Sequence, residues 1–336
     1  MPLIKQATPE ALQEAAQLIR GGGLVALPTE TVYGLGANAL DGKAVARIFE
    51  AKGRPAINPV IVHVLSVDEA QKYVVMNAAA QKVAASFWAG ALTMILPRRV
   101  DCSVSELCSA GLPTLAVRVP SHPVMRAVIE AAGVPIAAPS ANRSGTISPT
   151  TPLHVAESLG DAVDMILAAG ACAIGLESTV LDMSGDVPVV LRPGAISAEE
   201  IAAVLGHEVT YDFGAHDKPR SPGQLLRHYA PSVPLRLNAI DIEQGEALLA
   251  FGSIKFMGIK GGGAAKDLPP SMLRNLSDSG DLHEAAANLF RYMRELDKPD
   301  HQRIAVMNIP DQGLGIAINE RLRRAADSNR STAPTA

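Results

Sequence analysis

Cationic side chains in places where the chain gives them no helix or open surface are the first residues to suggest chemistry. Lys52 and Arg54 stand two apart in AKGRPAINP, on a segment that Pro55 keeps from being helical. A point charge beside a planar fork suits a polyphosphate; a solvated basic loop is the plainer reading. Arg118 interrupts the apolar run TLAVRVP, and a charge inside a strand must be paired or must hold an anion, because burying it alone costs several kcal/mol. A bidentate grip on an amino-acid carboxylate and a structural salt bridge both fit it. His63 lies in the strand-like VIVHV, where a lone histidine is ordinarily a satisfied core residue.

Small polar clusters accompany these charges. PTETVYGLG offers the hydroxyls of Thr29, Thr31 and Tyr33, with glycines that let backbone N–H groups approach a ligand. PIAAPSANRSGTISPT carries Ser140, Asn142, Ser144 and Ser148, and such side chains form nests for phosphate or for adenine edges. GLESTV and LRPG place Glu177, Ser178 and Thr179 before one strand of a hairpin and Arg192 after the other. GLGANAL lacks the third glycine of a dinucleotide fingerprint, and GIKGGGAAKD lacks the ending of a P-loop.

The elements that must position these residues follow from caps, breakers and apolar runs. Thr8, Pro9 and Glu10 start a helix over 9–20 that Gly21 to Gly23 end. Leu24 to Leu27 is a short strand, and TETVYGLGANAL after it reads as a loop, too polar and glycine-broken to be regular. Lys43 to Lys52 is helical. Val60 to Leu65, Leu92 to Leu96, Leu115 to Val119, Val134 to Ala138 and Met165 to Ala168 read as strands, and Ser178 to Met183 with Val187 to Leu191 as a hairpin about SGD. S-x-x-E capping boxes at Ser66 and Ser197 open helices.

With 336 residues, 48% apolar but only 4% aromatic, the chain is expected to be α/β: a twisted open mixed sheet with a second, smaller α/β domain. The expected divisions are a catalytic domain over 1–210, a Pro- and Gly-rich linker over 211–235, a small domain over 236–326 and a disordered tail over 327–336. A net charge of -4 without long charge runs provides no global field for nucleic acid or an anionic membrane. Cys102, Cys108 and Cys172 lack disulfide or zinc spacing. With no leader-like start and no long apolar span, a cytoplasmic protein is expected.

Taken in order, PTETVYGLG, KGR followed by NP-IVHV, TLAVRVP, APSAN-SG, ESTV and LRPG resemble the threonylcarbamoyl-AMP synthase family, whose catalytic unit is a YrdC-like domain. PGQLLRHYAP and the sequence beyond it look like the two-domain form. The resemblance implies an open α/β sheet around a positively charged cavity. It also implies synthesis of threonylcarbamoyl-AMP and pyrophosphate from L-threonine, bicarbonate or CO2, and ATP, in service of the threonylcarbamoyladenosine modification of tRNA. By matching position, Thr31, His63, Arg118, the backbone at Ala138, and Ser178 would surround L-threonine. Arg54, Asn58, Thr114, Ser140, Asn142, Ser148, Arg192 and Tyr229 would contact ATP, with Lys52 and Arg54 carrying the catalytic charge. Tyr229 belongs to the linker, which in this family folds over the site. Mg2+ would be held mainly by the ATP phosphates, with no dedicated protein ligands. The product would pass to a separate tRNA threonylcarbamoyl transferase, so direct tRNA binding is not required. Competing readings are a non-catalytic RNA-binding or ribosome-maturation protein, which few aromatics and an acidic balance disfavour, and carbamoyl transfer, whose accompanying zinc-finger and acylphosphatase-like segments are not visible.

Overall fold

Short strands rich in Val, Ile, Leu and Ala need helices to cover them, and the chain supplies these in alternation. The computed structural model describes residues 2–213, 219–221 and 228–330. These fall into two compact units, one within 1–144, 148–173 and 177–225, the other within 145–147, 174–176 and 226–336. The expected linker over 211–235 includes 214–218 and 222–227, which lie outside the described residues.

The first unit begins with β1 (Leu3–Gln6) and α1 (Pro9–Arg20), whose N-cap Thr8 accepts the Ala11 N–H and whose Pro9 needs no partner for an N–H it lacks. Then come β2 (Val25–Leu27), β3 (Gly34–Asn38), α2 (Gly42–Lys52), β4 (Val62–His63), α3 (Val67–Ala70), α4 (Ala78–Phe87), β5 (Leu92–Pro97), α5 (Glu106–Ser109) and β6 (Thr114–Arg118). After these follow α6 (Pro123–Ala132), β7 (Ile136–Ala137), α7 (Pro152–Leu159), β8 (Met165–Ala168), β9 (Thr179–Asp182), β10 (Val189–Arg192), α8 (Ala198–Leu205) and β11 (Thr210–Tyr211). The strands join in an 11-stranded sheet of order β1-β8-β2-β3-β7-β4-β6-β5-β9-β10-β11. Pairings are mixed: β4 with β6 and β5 with β9 run parallel, while β5 with β6 and β9 with β10 run antiparallel. A mixed twisted sheet is what the alternating strand and helix signals called for.

Strand alternation sorts the two faces. Val62, Met94, Val117 and Leu181 enter the large core under the helices, with Leu35, Val45, Ile48 and Leu96. On the opposite face a smaller cluster of Ile61, Ile95, Ala116, Val180 and Leu191 forms an apolar floor. Residues paired across strands share a face. His63 pairs with Arg118, Arg118 with Thr93, and Thr93 with Val180, so a polar row runs beside that floor.

Some sequence expectations are corrected. TETVYGLGANAL is not all loop, because Gly34–Asn38 is a strand antiparallel to β2. Glycine lacks intrinsic strand preference, but here close packing demands it: a Cβ on Gly36 would stand 3.0 Å from both Ile136 Cγ2 and Leu27 Cδ1. The strand expected over 60–65 narrows to β4, although the Val60 and Val64 N–H groups still bond Cys108 and Arg118 carbonyls. At Ser66 the box is modified, for Glu69 accepts the N–H of Leu65.

The second unit contains β12 (Leu235–Arg236), β13 (Asp241–Ile242), β14 (Glu246–Ala250), β15 (Gly258–Ile259), β16 (Leu273–Asn275), α9 (Leu282–Leu296), β17 (Arg303–Val306) and α10 (Leu314–Arg330). Its four-stranded sheet, ordered β12-β17-β14-β16, is parallel throughout. The expected end of this domain at Ala326 is also corrected. Helix α10 runs to Arg330, and the buried Ser328 hydroxyl donates back to the Arg324 carbonyl within it. Among the described residues no helix is long and apolar enough to cross a membrane.

Candidate active site

The polar row on the sheet is tied to the loop between β2 and β3. Arg118 ends β6 and is 3% exposed, so each of its nitrogens needs a partner. Nε donates to the Gly90 carbonyl at 3.1 Å, Nη1 to Thr31 Oγ1 at 3.0 Å, and Nη2 to Glu30 Oε1 at 2.5 Å. Burial alone would raise the Glu30 carboxyl, but the guanidinium charge and its hydrogen bond hold it down at about 2. Thr29 Oγ1 donates to the Val32 carbonyl and also lies 2.8 Å from Thr31 Oγ1, which pins the turn. His63, next to Arg118 in register, is held near 3 first by burial and then by the Arg118 charge, so its imidazole is neutral. Its buried Nδ1 has no hydrogen-bond partner among the described residues.

A second cluster collects at the end of α2 and around the 140–148 segment. Gly53, with φ 59°, turns the chain out of the helix, leaving Lys52 in the last turn. Lys52 Nζ reaches the Ser140 carbonyl at 2.6 Å and also the Asn142 carbonyl. Burial, then the nearby Arg54 charge, pushes this amine well below the usual lysine range, with Glu177 pulling the other way. Arg54 bonds the Asn58 and Pro59 carbonyls at 3.0 and 2.6 Å. Burial and then Arg192 bring it down to about 9, still charged at neutral pH.

Arg192 Nε and Nη2 donate to the Ser178 carbonyl and hydroxyl, both at 3.1 Å. Ser178 Oγ in turn lies 2.8 Å from Thr93 Oγ1, linking this cluster to the sheet row. Ser148 donates to Glu177 Oε1 at 2.5 Å. The Asn58 amide is buried with neither its oxygen nor its nitrogen bonded among the described residues. Like charges concentrated out of water, beside a buried amide with no partner among the described residues, suit an anionic ligand.

Of the expected site residues, Thr31, Lys52, Arg54, Asn58, His63, Arg118, Asn142, Ser148, Ser178 and Arg192 are buried in this unit. Thr114, opening β6, and Ser140 are half-buried there. The Ala138 N–H is spent on the Ile61 carbonyl. Tyr229 lies in the second unit, where its ring stacks on Phe290 with centroids 5.5 Å apart and Arg321 stands over it. Glu30 and Thr93 were not anticipated as site residues. A buried Arg118 demanded some acid, but nothing in local spacing selects one 88 positions away.

Comparison with known proteins gives the family. A family model described as telomere recombination, covering Sua5, YciO and YrdC, matches residues 17–194, and one described as the threonylcarbamoyl-AMP synthase C-terminal domain matches 196–327. The chain is similar to threonylcarbamoyl-AMP synthases of Bacillus subtilis, 40% identical over 94% of this chain and 92% of that one, and of Pyrococcus abyssi, 41% identical over 93% of each. Among solved structures it is similar to P. abyssi Sua5 complexed with L-threonine, with TM-score 0.85, 36% identity and coverage of 98% and 97%. Motifs, mixed sheet, buried charge and both matched domains converge: the chain belongs to the two-domain threonylcarbamoyl-AMP synthase family.

Proposed function

We propose that this chain is an L-threonylcarbamoyladenylate synthase, a nucleotidyltransferase that joins L-threonine, CO2 from bicarbonate, and ATP. The observation that carries the reading is the presence, within one unit, of a buried, firmly held arginine and a separate cluster of buried cations. Arg118 uses three of its five N–H groups on Gly90, Thr31 and Glu30, leaving one on each terminal nitrogen for the two oxygens of a threonine carboxylate. Neutral His63, Thr31, Ser178 and the backbone at Ala138 complete the amino-acid subsite without adding charge.

Arg54, Lys52 and Arg192 form the nucleotide end, with Asn58, Thr114, Ser140, Asn142 and Ser148 available to the base, ribose and phosphates. A polyphosphate restores the charged form of Lys52 that burial disfavours. The threonine nitrogen uses its lone pair on the carbon of CO2, loses a proton and becomes a carbamate. A carbamate oxygen then attacks the α-phosphorus as the bond to the β-phosphate oxygen breaks, and pyrophosphate leaves. The chain contributes positioning and cations facing the phosphate charge. Mg2+ fits as an ion carried by phosphates and water, for Glu177 puts a single carboxylate among these cations; it would neutralise phosphate charge. The reactive mixed anhydride calls for a receiving tRNA threonylcarbamoyl transferase, with no tRNA contact required of this chain.

The test is pyrophosphate release from Mg·ATP and bicarbonate with and without L-threonine. Release that depends on threonine, and is abolished in both Arg54→Ala and Arg118→Ala, is expected. Release indifferent to threonine would sink the assignment.

A further inference from the structure

We propose that Glu30 is a positioning and discriminating residue of the amino-acid subsite: it aims Arg118 at a carboxylate and keeps that arginine from taking phosphate. The proposal rests on the function proposed above and deepens it.

Glu30 is itself held rigidly. It sits between Thr29 and Thr31 in a turn fixed by Thr29 Oγ1, which accepts the Thr31 and Val32 N–H groups at 3.1 and 3.2 Å. Its Oε1 receives Arg118 Nη2, and its Oε2 receives the backbone N–H of His122 at 3.3 Å. His122 is the N-cap of α6, so this carboxylate faces the positive end of a helix of 10 residues. Both partners are sheltered, with side-chain exposures of 4% for Arg118 and 12% for Glu30. The guanidinium is therefore gripped at all three nitrogens, by Gly90, Thr31 and Glu30, and its remaining N–H pair has one direction only. An arginine with the same reach but no Glu30 would have to be ordered by the substrate.

Charge gives the second half of the role. An uncompensated buried arginine attracts any anion, and the substrate with the most negative charge is ATP, whose phosphates belong with Arg54, Lys52 and Arg192. Glu30 cancels the Arg118 charge in advance. A singly charged carboxylate that fits the remaining N–H pair is still accepted, whereas a di- or trianion meets Glu30 at close range. Arg54, by contrast, donates to the Asn58 and Pro59 carbonyls, which leave its charge uncancelled.

The experiment compares the full chain with Glu30→Gln and Glu30→Ala. It measures KM for L-threonine and for ATP, inhibition by sulfate, and threonine affinity by calorimetry. In Glu30→Ala the threonine KM should rise about tenfold or more, as for loss of a charge-assisted hydrogen bond, and in Glu30→Gln by about threefold or more. The ATP KM should stay within about twofold in both, and sulfate should become a competitor of threonine. If Glu30→Ala does not fold, Glu30→Gln decides alone. Threonine KM and sulfate sensitivity unchanged in Glu30→Gln, or both KM values rising together with a lower melting temperature and no sulfate competition, would overturn the proposal. Should the parent bind threonine but release no pyrophosphate, the synthase reading fails by itself, and the calorimetric comparison of parent and variants still judges Glu30.

Discussion

Arginine and lysine do different work in this site, and substitution separates them. Arg118 spends its nitrogens on three acceptors spread around a plane, which an ammonium cannot span. Arg118→Lys is therefore expected to lower kcat/KM for threonine by about 100-fold, near 3 kcal/mol, as for a broken charge-assisted network. A loss under about threefold in steady-state assays would contradict the assigned role. His63 makes a pH prediction. Its folded pKa, about 3, lies below the ordinary 6.5, so the unfolded chain takes up the proton first. The stability tied to neutral His63 is complete above pH 6.5 and is lost as pH falls toward 3. Glu30, lowered from 4.5 to about 2, contributes stability that is lost only below 4.5. Between pH 6.5 and 4.5 the His63 contribution is thus separable from that of Glu30. Urea midpoints of His63→Gln should decline less across that window than those of the parent; identical slopes would contradict a buried, neutral imidazole. The sequence showed that Arg118 needed a partner and that Lys52 and Arg54 suited phosphate. It did not show that Glu30 is that partner, because the contact closes only when β6 lies beside the loop after β2.

At the scale of elements, local chemistry was legible where it acts locally. Thr8, Pro9 and Gly21 bracket α1, and the Ser197–Glu200 box opens α8 with both of its reciprocal bonds made. The Ser-Gly-Asp turn gives the β9–β10 hairpin. What escaped was set by neighbours far along the chain: β3 is a strand because glycines let it approach Leu27 and Ile136, not because glycine favours strands. Gly194 shows the same physics inside the site. A Cβ there would lie 2.3 Å from the Thr179 backbone nitrogen and 2.7 Å from the Glu177 carbonyl oxygen. Gly194→Ala must therefore displace the backbone that presents Ser178, costing about 2 kcal/mol or more. A drop in melting temperature together with a raised KM for threonine is expected. An unchanged melting temperature would mean that the loop yields more easily than its packing implies.

On the proposed function, the molecule as a whole binds anions by local concentration of charge. Its net charge is -4, so the cations of the site act at short range and not through a global field. The small share of aromatics is consistent with a core in which Val, Leu, Ile and Ala fill both faces of the sheet. The last helix of the second unit was not legible, because the polar sequence after Leu314 obscures the buried stripe of Ala317, Ile318, Leu322 and Ala325. Ligand linkage extends to the whole chain: at concentrations about 100-fold above each dissociation constant, threonine should add about 2.7 kcal/mol of stability. A melting temperature raised by L-threonine but not by L-valine is expected in thermal scans, since valine leaves the groups that meet the threonine hydroxyl without a partner. Equal shifts would contradict that selectivity. The central claim is that the chain makes a carbon–nitrogen bond and a phosphate mixed anhydride in one site. The direct measurement is mass spectrometry of the products formed from L-threonine, Mg·ATP and 13C-bicarbonate by the parent and Arg118→Ala. An adenylate carrying both threonine and the heavy carbon, formed by the parent and missing in the variant, is predicted; AMP formation with no such adduct would contradict the account.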